Sequence, residues 1–334
     1  MTSNPQDHGL HLPAALTTFA AGGFGPINRL LLQVVFYPKS LTVQEFDWLL
    51  GLYQTVCPPD RITRFKIDEL LDWSDLHHPV LTRSARDAAA AGRRWPQFEA
   101  ARNRIRDGRA LDAQLWDGRT MAEGGTFNLH VCALKYRDTG LHWFVRFLFP
   151  LDFPANGLVH VLQTLADNIV HHSGHAGLMI SFLPDEKDAA FTEIYAKVRR
   201  FWGVDLDILD LSATRMHAAL QPPCWLNAIG HGFAAQFGLT ASLNQLGKVP
   251  DIAVLDRRYG TIFALGNHPS PLDRNRLPIE LSQYQAMAQA MDGLILHDIG
   301  TLPGDGFEAN ETATEDWLGR FASGAAWAQL RGLS

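Results

Sequence analysis

Residues 127–150 read FNLHVCALKYRDTGLHWFVRFLFP. The two runs FNLHVCALKY and LHWFVRFLFP are rich in Phe, Val, Leu and Trp, and the RDTG between them carries the Asp and Gly that tight connections favour. The pattern is that of a β-hairpin. GLVHVLQTLADNIVHH (157–172) comes next, with Leu158, Leu162, Leu165 and Ile169 on one helical face, and AGLMISFLP (176–184) returns to an apolar run of strand length. Hairpin, helix and strand in that order imply an α+β fold: a mixed, largely antiparallel sheet built from hairpin-helix-strand units and packed by helices.

Upstream of the hairpin, RLLLQVVFY (29–37) reads as a buried strand. Thr42 then caps VQEFDWLLGLYQTV (43–56), in which Phe46, Leu49, Leu50 and Tyr53 recur at helical spacing before Pro58 and Pro59. Residues 1–26, rich in Gly, Pro and Ala, are expected to form a flexible leader. Their Gly22, Gly23 and Gly25 precede the first strand instead of following it, so they read as linker and not as a dinucleotide fingerprint. Residues 27–322 are expected to form one domain, divisible into sublobes 27–126 and 127–322, with 323–334 as a tail. Downstream, DIAVLDRRYGTIFALG (251–266), YQAMAQAM (284–291) and LILHD (294–298) repeat the order hairpin, helix, strand without shared residue identity, a weak sign of duplication. PPCWLNAIGHGFAAQFG (222–238) is expected to be a helix with Leu226, Ile229, Phe233 and Phe237 on one face, its Gly230 and Gly232 admitting a neighbouring backbone. In NETATEDWLGRFASG (310–324), Thr312 and Glu315 have the spacing of a capping box ahead of Trp317 and Phe321.

At 334 residues and 46% hydrophobic content, the chain can bury a sizeable core. Its long apolar stretches, such as 141–151, are interrupted by His142 and Arg146 and fall short of the roughly 18 apolar residues of a membrane span. No secretory signal is legible at the N-terminus, so a cytoplasmic location is expected. Cys57, Cys132 and Cys224 are odd in number and far apart, which predicts buried reduced thiols. The net charge of −6 is split: residues 83–119 hold nine arginines against five acids, while the rest of the chain has 20 basic and 30 acidic residues. The arginine block is expected to be helical, broken near Gly92 and Pro96.

Three histidines lie close together at His171, His172 and His175. Extrapolated at 100° per residue, His160, Asp167 and His171 form a stripe opposite the apolar face of the 157–172 helix, and so are expected to face water. Asp167 and His171 are four apart and can pair, and Gly174 is placed to end the helix. No further Cys or His stands at the short spacing of a structural zinc site, so no metal and no cofactor is expected. Asp205, Asp207 and Asp210 in VDLDILDL read as the solvated side of an edge strand or turn. The chain has no GxSxG, GxxxxGK[ST] or HExxH motif and no strand carboxylates with the Lys of a metal nuclease, so no catalytic residues are expected. A rival reading is an enzyme whose pocket is lined by His130, His142 or the 171–175 cluster. Direct nucleic-acid binding is disfavoured, because the arginine block has few interleaved aromatics and the chain is acidic overall.

The series RLLLQVVFY, FVRFLFPLDF (144–153), HAGLMISF (175–182), WGVDLDI (202–208), WLNAIGHGFAAQFG (225–238) and TEDWLGRF (314–321) resembles, in order and spacing, the TsiV-type immunity proteins of bacterial type VI secretion. The resemblance covers roughly residues 27–322. It implies a non-enzymatic protein that binds a cognate effector toxin encoded nearby, a nuclease in the reading adopted here, and occludes its active site or substrate groove. An acidic surface suits such a partner, since it can occupy a basic groove in place of phosphates. The candidate partner-binding residues are Asp305, Glu308, Glu311, Glu315 and Asp316, in a glycine-containing loop that runs into a helix start.

Overall fold

The computed structural model describes residues 10, 12–19, 21–22, 25–26, 28–58, 61–62, 64–67, 74–75, 98–117, 126–136, 140–182, 187–276, 281–297, 299–310 and 312–322. In chain order the strands are β1 (Ala21–Gly22), β2 (Gly25–Pro26), β3 (Asn28–Pro38), β4 (Arg64–Ile67), β5 (Ser74–Asp75), β6 (Leu111–Trp116), β7 (Asn128–Lys135), β8 (Leu141–Phe149), β9 (His171–Phe182), β10 (Val204–Leu206), β11 (Leu226–Gly230), β12 (Ile252–Asp256) and β13 (Gly260–Leu265). The helices are α1 (Ala14–Thr17), α2 (Val43–Val56), α3 (Glu99–Arg106), α4 (Ala155–Asn168), α5 (Lys187–Arg200), α6 (Leu209–Ser212), α7 (His231–Gln236), α8 (Thr240–Leu246), α9 (Leu281–Ala290), α10 (Asp305–Glu308) and α11 (Ala313–Leu318).

Eleven strands form one sheet, running β12, β13, β11, β9, β3, β8, β7, β6, β4, β5 from edge to edge, with β10 added beside β9. The fold is α+β, as the alternation of strand and helix signals implied. Among the described strands only β9 and β10 pair in parallel; every other pairing is antiparallel. β9 organises the sheet. One of its edges pairs with β3 from Asn28 opposite Phe182 to Pro38 opposite His171. Its other edge is divided between β11, which covers 173–176, and β10, which covers 178–180.

Period-two alternation gives the sheet two unlike faces. On one, Leu32, Val34 and Phe36 stand opposite Phe149, Phe147 and Val145 in register, all fully buried. Helix α2 brings Tyr53 against Phe147, with 6.4 Å between ring centroids, and α4 packs on β3 and β9 through the faces of Leu158, Leu162 and Leu165. Each such side chain contributes about 1.5–3 kcal/mol by leaving water. On the other face, a row of paired residues crosses the sheet: Gln114, His130, Arg146, Val35, His175 and Asn227. The main apolar core cluster includes Leu32, Phe65, Leu129, Phe263 and Phe321, so it spans both expected sublobes; Leu31, Leu148 and Met179 form a small separate cluster.

Several local expectations hold. The Thr42 capping box forms: Glu45 N–H donates to Thr42 Oγ1 at 3.2 Å, and Thr42 N–H donates to Glu45 Oε2 at 2.7 Å. Cys57, Cys132 and Cys224 are free and buried. Others are corrected. The segment 225–238 is not one helix; Leu226–Gly230 is a strand and only His231–Gln236 is helical. Leu226 and Ile229 are apolar because β11 is buried throughout, which a helical spacing imitates by chance. Gly230 does admit a backbone, since a Cβ there would lie 2.0 Å from the His171 carbonyl oxygen, whereas nothing lies within 4 Å of a Cβ at Gly232. LILHD is not a strand; Ile295 makes a single bridge to Leu220, so the second unit lacks its third strand. The Thr312 capping box does not form, and Thr312 Oγ1 donates instead to Asp316 Oδ2 at 3.0 Å.

The described part of the leader is anchored: Leu16 is fully buried, and Lys197 Nζ donates to the carbonyls of Ala15 at 2.8 Å and Thr18 at 2.6 Å. Residues 83–97 and 118–119 of the arginine block, including the expected breaks at Gly92 and Pro96, lie outside the described residues, as does the tail 323–334. The block's described part, residues 98–117, is helical only in α3; Leu111–Trp116 is strand β6, which corrects the expectation of helix there, and in α3 Arg102 is buried and paired with Asp47 at 2.8 Å and Glu99 at 3.2 Å. Those charges hold α3 to α2.

Candidate functional site

The three clustered histidines separate into three environments. Helix α4 ends at Asn168, and the chain turns into β9 two residues later, so the helical angle used for His171 does not apply beyond that point. His160 is exposed as expected, but His171 is buried, with its ring 4.3 Å from that of Phe36 and Nδ1 3.0 Å from the Ile169 carbonyl oxygen. Asp167 pairs with Arg257, whose Nε donates to Oδ1 at 3.0 Å, and not with His171. Gly174 lies inside the strand, where a Cβ would meet the Phe36 ring at 2.7 Å; it is a close-packing glycine and not a helix stop. Burial pushes the His171 imidazole down to about 4.

His172 points to a different place. It lines a pocket of about 210 Å³ together with Lys39, His142, Trp143, Met216 and His217. The His142 and His217 rings are 4.7 Å apart, and His217 Nδ1 lies 3.0 Å from the Thr214 carbonyl oxygen. Burial, then the neighbouring His217 charge, pushes His172 down to about 4, and burial lowers His142 as well. These imidazoles are therefore neutral near pH 7. Among the described residues no Asp, Glu, Ser or Cys lines this pocket, so its histidines have no carboxylate there to orient them.

His175 joins the polar row on the inner face. Its Nε2 lies 3.1 Å from Asp205 Oδ2, and Gln33 Nε2 donates to the same oxygen at 2.8 Å. The expectation of a solvated acidic side is thus corrected at Asp205, which is 4% exposed. Burial alone would raise its carboxyl, but the hydrogen bond and charge of His175, with Arg320 nearby, hold it below the ordinary range. Asp207 is half-buried and pairs with Arg146; the side chain of Asp210 lies outside the described residues. Farther along the row, His130 Nε2 lies 2.9 Å from Asp112 Oδ1, while burial pulls His130 below its usual range.

Cys224 Sγ also reaches this group, and the donor atoms of His175, Asp205 and Cys224 all lie within 4.8 Å of one another. Burial and the Asp205 charge push the Cys224 thiol well up. The three residues are far apart in sequence, so no spacing rule reveals them. The one legible sign is Gln33, a polar residue in the middle of the apolar run RLLLQVVFY.

The acidic patch lies elsewhere on the surface. Asp305, Glu308 and Glu315 are exposed, Asp316 is half-buried, and Glu311 lies outside the described residues. The segment expected to be a loop contains a single helical turn, α10, entered through Gly304 at φ 91°. A Cβ at Gly304 would lie 2.7 Å from Thr192 N, and one at Gly306 would lie 2.1 Å from the Tyr195 ring, so the glycines press this turn onto α5. Phe307 is fully buried against Tyr195, with ring centroids 4.9 Å apart. The acids therefore sit on a tightly held turn, consecutive in space with the first turn of α11.

Comparison with known proteins gives two results. The family model TsiV, described as type VI immunity for VRR-NUC, matches residues 64–321. Among solved structures, the Pseudomonas aeruginosa T6SS protein PA0821 superimposes with a TM-score of 0.65, covering 92% of this chain and 88% of that chain at 16% sequence identity. At that identity the likeness is one of fold. No curated protein matches the chain.

Proposed function

The chain belongs to the TsiV family of type VI immunity proteins, and we propose that it neutralises one cognate effector nuclease by binding it and covering its active site or substrate groove. The match over residues 64–321 carries this reading. The disposition of the side chains supports it. The close His, Asp and Cys group formed by His175, Asp205 and Cys224 is buried, while the exposed charges of α10 and α11 are carboxylates on a braced turn. A protein that works by occlusion needs the second feature and not the first. No described helix is long and apolar enough to cross a membrane.

In this proposal Asp305, Glu308, Glu311, Glu315 and Asp316 occupy a basic groove of the effector in place of phosphate oxygens, with no nucleic acid bound directly and no cofactor required. The competing role for these acids is to complement the N-terminal ends of α10 and α11, worth about 0.3–1 kcal/mol each. Salt and mutation separate the two. Complementary charge speeds association and is screened by salt, whereas helix-end charge changes stability and leaves binding intact.

The experiment co-expresses the chain with the effector encoded beside its gene. Rescue of growth is expected at stoichiometric levels, with the effector's intact mass unchanged. Rescue by trace amounts, or a modified effector, would overturn inhibition by binding. The double variant Asp305→Lys and Glu308→Lys is expected to stay folded and to associate at least about tenfold more slowly at low salt. An unchanged association rate would exclude this patch, and the groove of about 410 Å³ beside edge strand β12, lined by Leu243, Val254, Asp256 and Phe263, becomes the next surface to test.

A further inference from the structure

We propose that His175, Asp205 and Cys224 form a buried binding site for one zinc-like transition-metal ion that ties together β9, β10 and the segment leading into β11. The three donors are 3%, 4% and 4% exposed, and their ligand atoms lie within 4.8 Å of one another. Nitrogen, oxygen and sulfur donors together suit zinc, whose tetrahedral sites draw on this set. Each donor comes from a different segment, so an ion there would cross-link the point where the far edge of β9 changes partner from β11 to β10.

The surroundings are those of a built site. Gln33 Nε2 fixes the Asp205 carboxylate at 2.8 Å, a supporting hydrogen bond of the kind that orients metal ligands. Asn227 holds the Cys224 backbone twice, accepting from its N–H at 2.9 Å and donating to its carbonyl at 2.7 Å. Gln221, three residues before Cys224, donates to the Tyr37 hydroxyl at 3.3 Å, and its buried Oε1 has no protein hydrogen-bond partner, leaving an oxygen on the same segment. The Tyr37 ring lies 6.0 Å from that of His175.

Charge balance also permits the ion. A divalent cation with one thiolate and one carboxylate closes to zero net charge. Arg320, the remaining formal charge nearby, has its own partners: it donates to the carbonyls of Trp202 at 2.8 Å and Trp317 at 2.9 Å, and its guanidinium lies over the rings of Trp317 at 4.5 Å and Phe321 at 4.9 Å. Binding breaks the Cys224 S–H bond, forms the sulfur–metal bond and sends that proton to solvent. Without the ion, His175 Nε2 carries the proton that faces Asp205 Oδ2 at 3.1 Å; on binding, the neutral ring shifts that proton to Nδ1 and frees the Nε2 lone pair for the ion. One proton is released per ion bound.

The test uses the full chain, because a buried site loads during folding. Protein refolded with zinc and then dialysed is expected to hold about one ion per chain by elemental analysis, and refolding with cobalt is expected to give a thiolate-to-metal charge-transfer band. Cys224→Ser and Asp205→Asn should each lose the ion and the band, while His172→Ala, in the surface pocket, should keep both. Less than about a tenth of an equivalent in the unmodified protein would overturn the proposal whatever the variants do. Metal retained in folded Cys224→Ser, or lost in His172→Ala, would assign it to another site.

Discussion

The two faces of the sheet are made from the same strands yet obey different rules. On the face carrying Val34, Phe36, Val145 and Phe147, the contacts are apolar and exchangeable, and any residue of similar bulk would serve. On the face carrying Gln33, Arg146, His175 and Asn227, these four polar residues each have a particular partner, and replacing one leaves that partner unsatisfied. The first face contributes stability and the second fixes which segments meet. Of the two short strands that share β9's far edge, β10 is tied across the second face through Asp205 to His175 and Gln33, while Asn227 of β11 braces its own entry segment at Cys224.

Mutations should separate the faces. Phe147→Ala on the apolar face is expected to cost about 3–5 kcal/mol, read as a fall in chemical-denaturation midpoint without a change in slope. A cost below about 1 kcal/mol would mean that the face repacks and that its order matters less than described.

Acid should act through two histidines that burial holds near 4, His172 and, against Phe36, His171. The folded-state value of each is about 4 against 6.5 for the free side chain, so between those values the unfolded chain takes up the proton and the folded one does not. Stability is therefore unaffected above about pH 6.5 and falls as pH drops toward 4, by on the order of 3 kcal/mol at His171. Urea titrations across that range should show the loss, and His171→Phe should remove about half of it, the rest belonging to His172. An unchanged acid limb in that variant would shift the origin to His172 or to the polar face.

Gln33→Leu makes the polar face more apolar and is nonetheless expected to destabilise by about 1–3 kcal/mol, because Asp205 loses a donor it cannot replace from solvent. A gain in stability would reduce the polar row to ordinary core. The smallest expected effect is at the helix starts: Thr42→Ala should cost about 1 kcal/mol, and Thr312→Ala less, since only Thr42 accepts a capping hydrogen bond.

The same contrast governs what was legible in advance. The hairpin at 127–150, the face of α2 and the apolar face of α4 follow from periodicity, because burial of one face writes itself into alternate or every third and fourth residue. His171 was misplaced because the 3.6-residue period was carried past Asn168, where the backbone stops being helical. Leu226 and Ile229 misled for a related reason: a strand buried on both sides has no alternation to read. Asp205, His175 and Cys224 were invisible as a group because their proximity is a product of strand order, which no local pattern encodes. At the acidic patch, Asp305, Glu308 and Glu315 are exposed as expected and Asp316 only partly so, but the turn that holds them was not legible, since Gly304 and Gly306 act through Thr192 and Tyr195 more than a hundred residues earlier.

The pairing of β3 with β9 also sets a timetable. β3 ends at Pro38, its first partner β8 begins at Leu141, and β9 begins only at His171. During synthesis at about 5–20 residues per second, β3 waits roughly 5–20 seconds for its first partner and somewhat longer for its second. Through that interval RLLLQVVFY is an unpaired apolar strand, the kind of segment that chaperones hold and that aggregation begins from. The central position of an early strand thus means that the sheet cannot close around β3 until β9 has emerged.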